Sequence, residues 1–183
     1  MNTVQPIRSQ EEISKVKEEL KNINDKYYIM FVIGINTGLR VSDILTLKVS
    51  DIKNKSHIVI VEQKTKKNKR FLINSKLQKE ISNFIKEQDL SDDMYLIQSR
   101  KGTNNPITRV QAYRVLNQAA SAIGLEEIGT HTMRKTFGYW HYKQNKDVAI
   151  LQEIFNHSSP SITLRYIGIN DDIKDETIKN FYL

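Results

Sequence analysis

The sequence predicts a mostly α-helical fold with one small antiparallel β-hairpin, which belongs to the α+β class. Apolar residues recur at helical spacing over most of the 183 residues, and two β-branched runs flank a polar, lysine-rich turn. Hydrophobic residues make up 39% of the chain, which has only seven glycines and three prolines. We therefore expect residues 1–183 to form a single domain around one sizeable core.

The first half of the chain is predicted to contain helices followed by the hairpin. Ser9 is a predicted N-cap, because Glu12 follows three residues later and completes a capping box. Residues 27–35 (YYIMFVIGI) are apolar on nearly all sides and predict a buried central helix, which Gly38 ends in the left-handed conformation. A short helix is predicted at 41–47, and strands are predicted at 57–61 and 70–73.

The second half of the chain is predicted to be helical. Ser159-Pro160 and Asn170-Asp171 are expected to separate its last elements. Phe137 and Trp140, within the predicted helix 132–142, are expected in the core. The apolar run at 94–97 fits either a strand or a helix. The predicted helices span 77–85, 108–123, 132–142, 148–155, 161–166 and 173–181.

The charge balance favours a polyanionic partner. Lysine and arginine number 28 against 21 acidic residues, which gives a net charge of +7 and a pI near 9.4. Residues 53–70 hold seven basic residues and one acidic residue. Such a basic arm is typical of nucleic-acid binding, although a solvated lysine-rich loop is the alternative.

Several classes of site are excluded or disfavoured. The chain has no cysteine, which removes disulfides, thiolate zinc sites and cysteine nucleophiles. Phosphate-loop, HExxH and GxSxG motifs are also missing from the sequence. The acidic segment DDIKDE fits a solvated helix start better than a metal cluster. We therefore expect no cofactor or metal. We also expect a cytoplasmic location, because the sequence has no apolar run of membrane-spanning length and no signal peptide.

The remaining candidates are basic residues, histidines and a tyrosine. Arg40 directly follows the predicted buried helix, where it could bind an anion or pair with Asp43. His131 and Arg134 are three residues apart at a helix start and can face one patch. Taken alone, His157 fits a capping residue between helices better than a catalyst, and Tyr166 is one of eight tyrosines, so neither residue indicates catalysis by itself.

Taken in order, these motifs resemble the tyrosine recombinase (phage integrase) family. They are TGLRVSD, the lysine-bearing hairpin, HTMRKTF and NHSSPSITLRY. In the last motif, Tyr166 follows His157 by nine positions, which agrees with the family pattern. The resemblance covers nearly the whole chain and implies that family's catalytic-domain fold, without a cofactor. It also implies that Tyr166 attacks a DNA phosphodiester inside a pocket formed by Arg40, Lys64, His131, Arg134 and His157.

The chemistry of these residue types agrees with the role that the resemblance implies. Two guanidinium groups can stabilise charge on the nonbridging phosphate oxygens without a metal. His131 would accept the tyrosine proton, His157 would donate a hydrogen bond to the phosphate, and Lys64 would protonate the departing 5′ oxygen. Asp43 would orient Arg40. The predicted DNA contacts are Lys66, Lys67, Lys69, Arg70, Thr108, Arg109, Gln111 and Arg114.

The chain departs from the family pattern in two places. Asn156 replaces the common glycine before the last histidine, and asparagine tolerates the left-handed conformation. Only about 25 residues precede the buried helix, so we expect no N-terminal DNA-clamping domain, which in typical members has about 100 residues. The chain thus resembles either the short stand-alone integrases of low-GC bacteria or the catalytic domain alone of a longer member.

Three functions remain open at this point. The first is site-specific recombination or integration through a 3′-phosphotyrosyl intermediate. The second is an accessory DNA-binding factor, and the third is type IB topoisomerase-like relaxation of DNA. The partner in each case is double-stranded DNA. We also expect a homo-oligomer on DNA, formed when an apolar face within residues 171–183 packs on a neighbouring protomer. The residues of that face are Ile173, Ile178, Phe181 and Leu183.

Overall fold

The structure, a computed structural model, describes residues 4–61 and 68–182, and this part of the chain confirms the α+β class. Its elements are α1 (Gln10–Ile23), α2 (Asp25–Thr37), α3 (Val41–Leu45), α4 (Val49–Ile52), β1 (His57–Val61), β2 (Asn68–Leu72), α5 (Ser75–Glu87), α6 (Arg109–Ala122), α7 (Thr132–Asn145), α8 (Val148–Phe155), α9 (Pro160–Tyr166) and α10 (Ile169–Ile178). The predicted Lys64, Lys66, Lys67 and Leu183 lie outside the described residues.

Helix α2 forms the centre of the main core, as the sequence predicted. It buries eight of its 13 residues and packs against α1, α5 and α7. The Ser9 hydroxyl accepts a hydrogen bond from the Glu12 backbone N–H at 3.3 Å, which confirms Ser9 as the N-cap of α1. Gly38 ends α2 in the left-handed conformation with φ of 70°. The chain therefore turns sharply just before Arg40.

The two strands pair antiparallel, from His57 opposite Leu72 to Val61 opposite Asn68. Ile58 and Phe71 are buried on the face towards the core, whereas Val59 and Leu72 are exposed. This alternation is the half-buried strand pattern. Strand β2 begins two residues before the predicted start, because its first residues pair with the end of β1.

A second, smaller apolar cluster joins α7, α8, α9 and the start of α10. Its buried members are Tyr139, Leu151, Phe155, Ile167 and Ile169. Phe137 and Trp140 pack against this cluster, which confirms their predicted place in the core. The cluster supports the segment that carries both His157 and Tyr166.

The C-terminal helix begins earlier than predicted, and the expected break at Asn170-Asp171 is wrong. Helix α10 starts at Ile169, because Gly168 makes the corner instead with φ of 80°. Asp171 and Asp172 then lie in the first turn of α10, where carboxylates favourably face the partial positive charge of the helix.

Two further segments differ from or extend the prediction. Residues 94–97 belong to no named strand or helix, and Tyr95 makes an isolated bridge with Lys48. The short helix α4 was not predicted, since four residues carry too little periodicity. Within residues 4–61 and 68–182, no helix is long and apolar enough to cross a membrane.

Candidate active site

Arg134 lies at the centre of the candidate site, on the first turns of α7. Its side chain is almost fully buried, with 5% of the residue exposed. One terminal nitrogen donates to the Gly38 carbonyl and the other donates to the Phe155 carbonyl at 3.2 Å. The guanidinium carbon lies 4.4 Å from the centroid of the Phe155 ring. The group is thus fixed, and its other N–H groups can still bind an anion.

Gly38 joins Arg134 to the loop that carries Arg40. At φ of 70°, a side chain on this residue would be strained, and its Cβ would lie 2.5 Å from the Phe137 ring. Both facts explain the glycine in the TGLR motif. Arg40 follows as the N-cap residue of α3, with an exposed side chain beside a cleft of about 660 Å³ that Asp43 and Asn156 also line.

His131 and Tyr166 are 35 residues apart in the chain and lie next to each other in the structure. The His131 Nδ1 lies 3.3 Å from the Tyr166 hydroxyl oxygen, and the two rings meet edge to face. The Tyr166 ring also contacts the rings of Phe155 and His157, with centroid distances of 5.4 and 5.1 Å. The hydroxyl of Tyr166 can therefore pass its proton directly to a neutral imidazole.

His157 is oriented by a buried threonine. Its Nδ1 lies 3.0 Å from the Thr163 hydroxyl, which belongs to the same helix as Tyr166. When this hydroxyl donates to Nδ1, the imidazole proton resides on Nε2, and this tautomer can donate a hydrogen bond to a phosphate oxygen. Asn156 precedes His157 in the left-handed conformation, with φ of 57°, as its residue type allows.

The positive charges of the site act on one another's pKa values. The pKa of Arg134 is lowered to about 10, chiefly by desolvation and also by the charge of Arg40, while Tyr166 and Asp43 oppose the shift. Desolvation also lowers the pKa of His131, with contributions from Arg109 and Lys135. The contributions of the neighbouring cations to both shifts show that several positive charges share a partly desolvated pocket, which favours an anion.

His157 and Tyr166 respond to the same pocket. Desolvation lowers the pKa of His157, and the charges of Arg134, Arg40 and Lys69 lower it too. Burial raises the pKa of Tyr166, whereas Arg134 and Arg40 lower it. At neutral pH both histidines are therefore uncharged and Tyr166 carries its proton, which is the state a proton acceptor and a nucleophile require before reaction.

Strand β2 contributes a lysine to the same region. The Lys69 ammonium donates to the Ile154 carbonyl at 3.5 Å, at the end of α8 next to His157. Arg70 lies on the exposed face of the strand beside the His57 ring, with nitrogen distances of 3.3 and 3.4 Å. The Lys69 contact brings strand β2 to the candidate site.

Four of the predicted DNA contacts lie at or near the start of helix α6. Two of them are exposed, and the side chains of the other two make hydrogen bonds within the protein. Arg109 and Arg114 are exposed. The Thr108 hydroxyl caps the helix by accepting from the Gln111 backbone N–H at 3.1 Å. The Gln111 side-chain amide donates to the Tyr27 hydroxyl at 2.7 Å, which directs it towards the core. DNA contact by these four residues stays a prediction.

Two site residues were missed by sequence reasoning. The Lys135 ammonium lies 5.2 Å from the centroid of the Tyr166 ring, and Thr163 orients His157. Their only sequence signal was position, since Lys135 adjoins Arg134 and Thr163 precedes Tyr166 by three residues, almost one helical turn. Across the described ranges, no group of three or more histidine, aspartate or glutamate side chains is arranged to hold a metal ion.

Comparison with known proteins points to one family. The family model described as the phage integrase family matches residues 9–172. A probable integrase/recombinase of Bacillus subtilis, YoeC, is 53% identical over 181 residues, which is 99% of this chain and 98% of the relative. By contrast, the chain spans 48% to 59% of the length of the XerH and XerA recombinases among its curated relatives.

Solved structures of the same fold are also tyrosine recombinases. The XerA recombinase superimposes with a TM-score of 0.76 at 21% identity, covering 96% of this chain and 65% of that one. XerH bound to a palindromic difH substrate gives 0.74 at 20% identity, covering 98% and 54% of the two chains. A lambda integrase tetramer on a Holliday junction gives 0.69 at 16% identity, covering 90% and 48%.

The fold, the site and the relatives lead to one assignment. The family model covers most of the chain, and the catalytic-domain fold predicted from the motifs is confirmed. The chain belongs to the phage integrase family and is a tyrosine recombinase.

Proposed function

We propose that this tyrosine recombinase, a DNA breaking and rejoining enzyme, cuts one strand by attack of the Tyr166 oxygen on a phosphodiester. The observation that carries the proposal is the 3.3 Å distance between the Tyr166 hydroxyl oxygen and His131 Nδ1, beside the buried Arg134. The tyrosine oxygen bonds to phosphorus as the 5′ oxygen leaves. The product is a 3′-phosphotyrosyl bond and a free 5′ hydroxyl.

Each basic residue has a separate task in this step. His131 takes the proton from Tyr166, which its lowered pKa favours because the imidazole is neutral before reaction. Arg40 and Arg134 stabilise the charge on the nonbridging oxygens, and His157 donates to one of these oxygens. Lys64, outside the described residues, gives a proton to the 5′ oxygen. Another 5′ hydroxyl then attacks the phosphotyrosyl bond, which rejoins the strand and releases Tyr166. The phosphotyrosyl bond keeps the energy of the cleaved phosphodiester, so the reaction needs no ATP.

The basic surface next to this pocket supports binding to duplex DNA. Arg109 and Arg114 on α6 and Arg70 on β2 are exposed cations, and Lys69 lies at the edge of the pocket. Phosphate contacts of this kind dominate affinity and depend steeply on salt. We assign these four residues, together with Lys66, Lys67, Thr108 and Gln111, to the DNA surface.

The C-terminal helix supports assembly of several copies on DNA. Helix α10 buries Ile169 alone, and its Ile173 and Ile178 are 56% and 63% exposed. Phe181 beyond it is 67% exposed. We propose that this apolar face packs on a neighbouring protomer. A truncation after Asn170 that still assembles normally on DNA would refute this part of the proposal.

A nicked suicide substrate tests the reaction. The nick lets a short fragment diffuse away after cleavage, so the covalent protein–DNA adduct accumulates and can be separated by denaturing electrophoresis. We expect the adduct with the wild-type chain in excess EDTA and none with Tyr166→Phe, which keeps the basic surface. No wild-type adduct would favour an accessory DNA-binding role. Relaxation of any supercoiled plasmid would favour topoisomerase-like activity.

A further inference from the structure

Residues 4–8 form a segment that lies along α7, which we call the N-terminal strap. The Gln5 backbone N–H donates to the Glu127 carbonyl at 2.9 Å, and the Ile7 N–H donates to the Thr136 hydroxyl at 2.9 Å. The Trp140 indole in turn donates to the Ile7 carbonyl at 3.0 Å. The strap is thus fixed to the helix that carries Arg134.

Arg8, at the end of the strap, reaches the corner between α9 and α10. Its Nε donates to an Asp172 carboxylate oxygen at 2.7 Å, and one terminal nitrogen donates to the Gly168 carbonyl at 3.3 Å. The Gln5 side-chain oxygen accepts from both terminal nitrogens at 3.3 Å. The guanidinium carbon also lies 5.6 Å from the centroid of the Tyr139 ring. Arg8 is therefore held in one geometry.

The corner that Arg8 holds directly follows the proposed nucleophile. Gly168 comes two residues after Tyr166 and adopts φ of 80°, a conformation that gives the corner its shape. Beyond Ile169 the helix α10 is exposed or half-exposed, so apolar packing supports it little. Ile167 and Ile169, on either side of Gly168, are buried in the small apolar cluster, and the polar contacts of Arg8 add a second restraint on the corner.

The strap also reaches the ring of Tyr166 through Lys135. The Lys135 ammonium donates to the Val4 carbonyl at 2.6 Å and lies 5.2 Å from the centroid of the Tyr166 ring. Two contacts of the strap therefore bracket the nucleophile, one at its ring and one at the residues that follow it. Neither contact involves Arg40, Arg134 or His157.

From this geometry we infer that Arg8 is a positioning residue for the nucleophile. By joining Gly168 and Asp172 to the strap, it fixes the α9–α10 corner and holds the Tyr166 hydroxyl within reach of His131. The inference rests on the proposed role of Tyr166. Reacting groups must be placed closely, and a displacement of about 1 Å can reduce a rate about 100-fold.

The test compares cleavage rate with DNA affinity at saturating nicked substrate. We expect Arg8→Gln to slow single-turnover adduct formation by about 10- to 100-fold, with a dissociation constant for DNA close to that of the wild type. Arg8→Lys, which retains the charge but lacks the second arm of the guanidinium, should be intermediate. The matched control is Lys15→Gln, which removes one exposed cation and its ion pair with Glu11 at 2.6 Å on α1. It should leave the rate unchanged.

A charge swap separates positioning from general stability. The double variant Arg8→Asp with Asp172→Arg restores the ion pair and should recover part of the rate lost in either single variant, and it provides the test if Arg8→Gln does not fold. An unchanged or faster rate in Arg8→Gln, or no recovery in the swap, would overturn the inference. If the wild type forms no adduct at Tyr166, the proposed function fails instead, so the two failures are distinguishable.

Discussion

Replacing either arginine of the pocket should impair cleavage, and the two replacements should differ in their effect on stability. Arg134 is buried and donates to the carbonyls of Gly38 and Phe155, so Arg134→Ala leaves two buried acceptors without their charged donor. A hydrogen bond to a charged group contributes about 1.5–3 kcal/mol. Two of them give a loss of about 3 kcal/mol at the lower end of that range.

Arg40 provides the matched comparison, because its side chain is exposed. Exposed charged groups usually contribute about 0–1 kcal/mol to the free energy of unfolding. A loss of about 3 kcal/mol in a domain of this size lowers the melting temperature by roughly 6–12 °C. Thermal and urea unfolding of Arg40→Ala and Arg134→Ala, beside the suicide-substrate assay, measures both effects. Equal stability of the two variants would refute the structural role of Arg134.

Three further predictions concern the proton transfers and the backbone of the site. The acid limb of kcat/KM for cleavage should have its midpoint below pH 6.5, because the pKa of His131 is lowered from 6.5, chiefly by desolvation and also by the charge of Arg109. Arg109→Gln should move this acid limb to higher pH, and an unmoved limb in the pH–rate profile would contradict the stated cause. Asn156→Ala should reduce the free energy of unfolding by about 1 kcal/mol, because φ at this position is 57° and alanine is strained in the left-handed conformation. Asn156→Gly should reduce the free energy of unfolding less. Equal urea midpoints for the two variants would argue against backbone strain. Lys64→Ala should slow cleavage ~100- to 10,000-fold, and a substrate with sulfur at the bridging 5′ position should restore the rate, since a thiolate leaves unprotonated. Failure of that rescue would mean that the proton comes from another group.

The motifs and helix periodicity predicted much of the architecture. The buried run at 27–35, the glycine at 38 and the N-cap at Ser9 each depend on local chemistry that a sequence displays. The position of Asn156 in the left-handed conformation was predictable for the same reason. These features involve residues that are close in the chain.

The features that the sequence did not predict depend on contacts between residues that are far apart in the chain. The start of α10 was misjudged, because Asn170-Asp171 looked like a stop while Gly168, bonded to Arg8 from the other end of the chain, makes the actual corner. The Gln111 amide donates to the Tyr27 hydroxyl across 84 residues, a contact that the sequence did not indicate, and the DNA contact of Gln111 stays a prediction. No periodicity or motif reports such pairings.

The most direct test of the central assignment is to locate the covalent bond between protein and DNA. After trapping with a nicked substrate, proteolysis and mass spectrometry identify the modified peptide, and labelling of each DNA end identifies the attached strand. The account predicts one adduct, at Tyr166, through a 3′ phosphate with a free 5′ hydroxyl on the other fragment. An adduct on another of the eight tyrosines, or one joined through a 5′ phosphate, would contradict it.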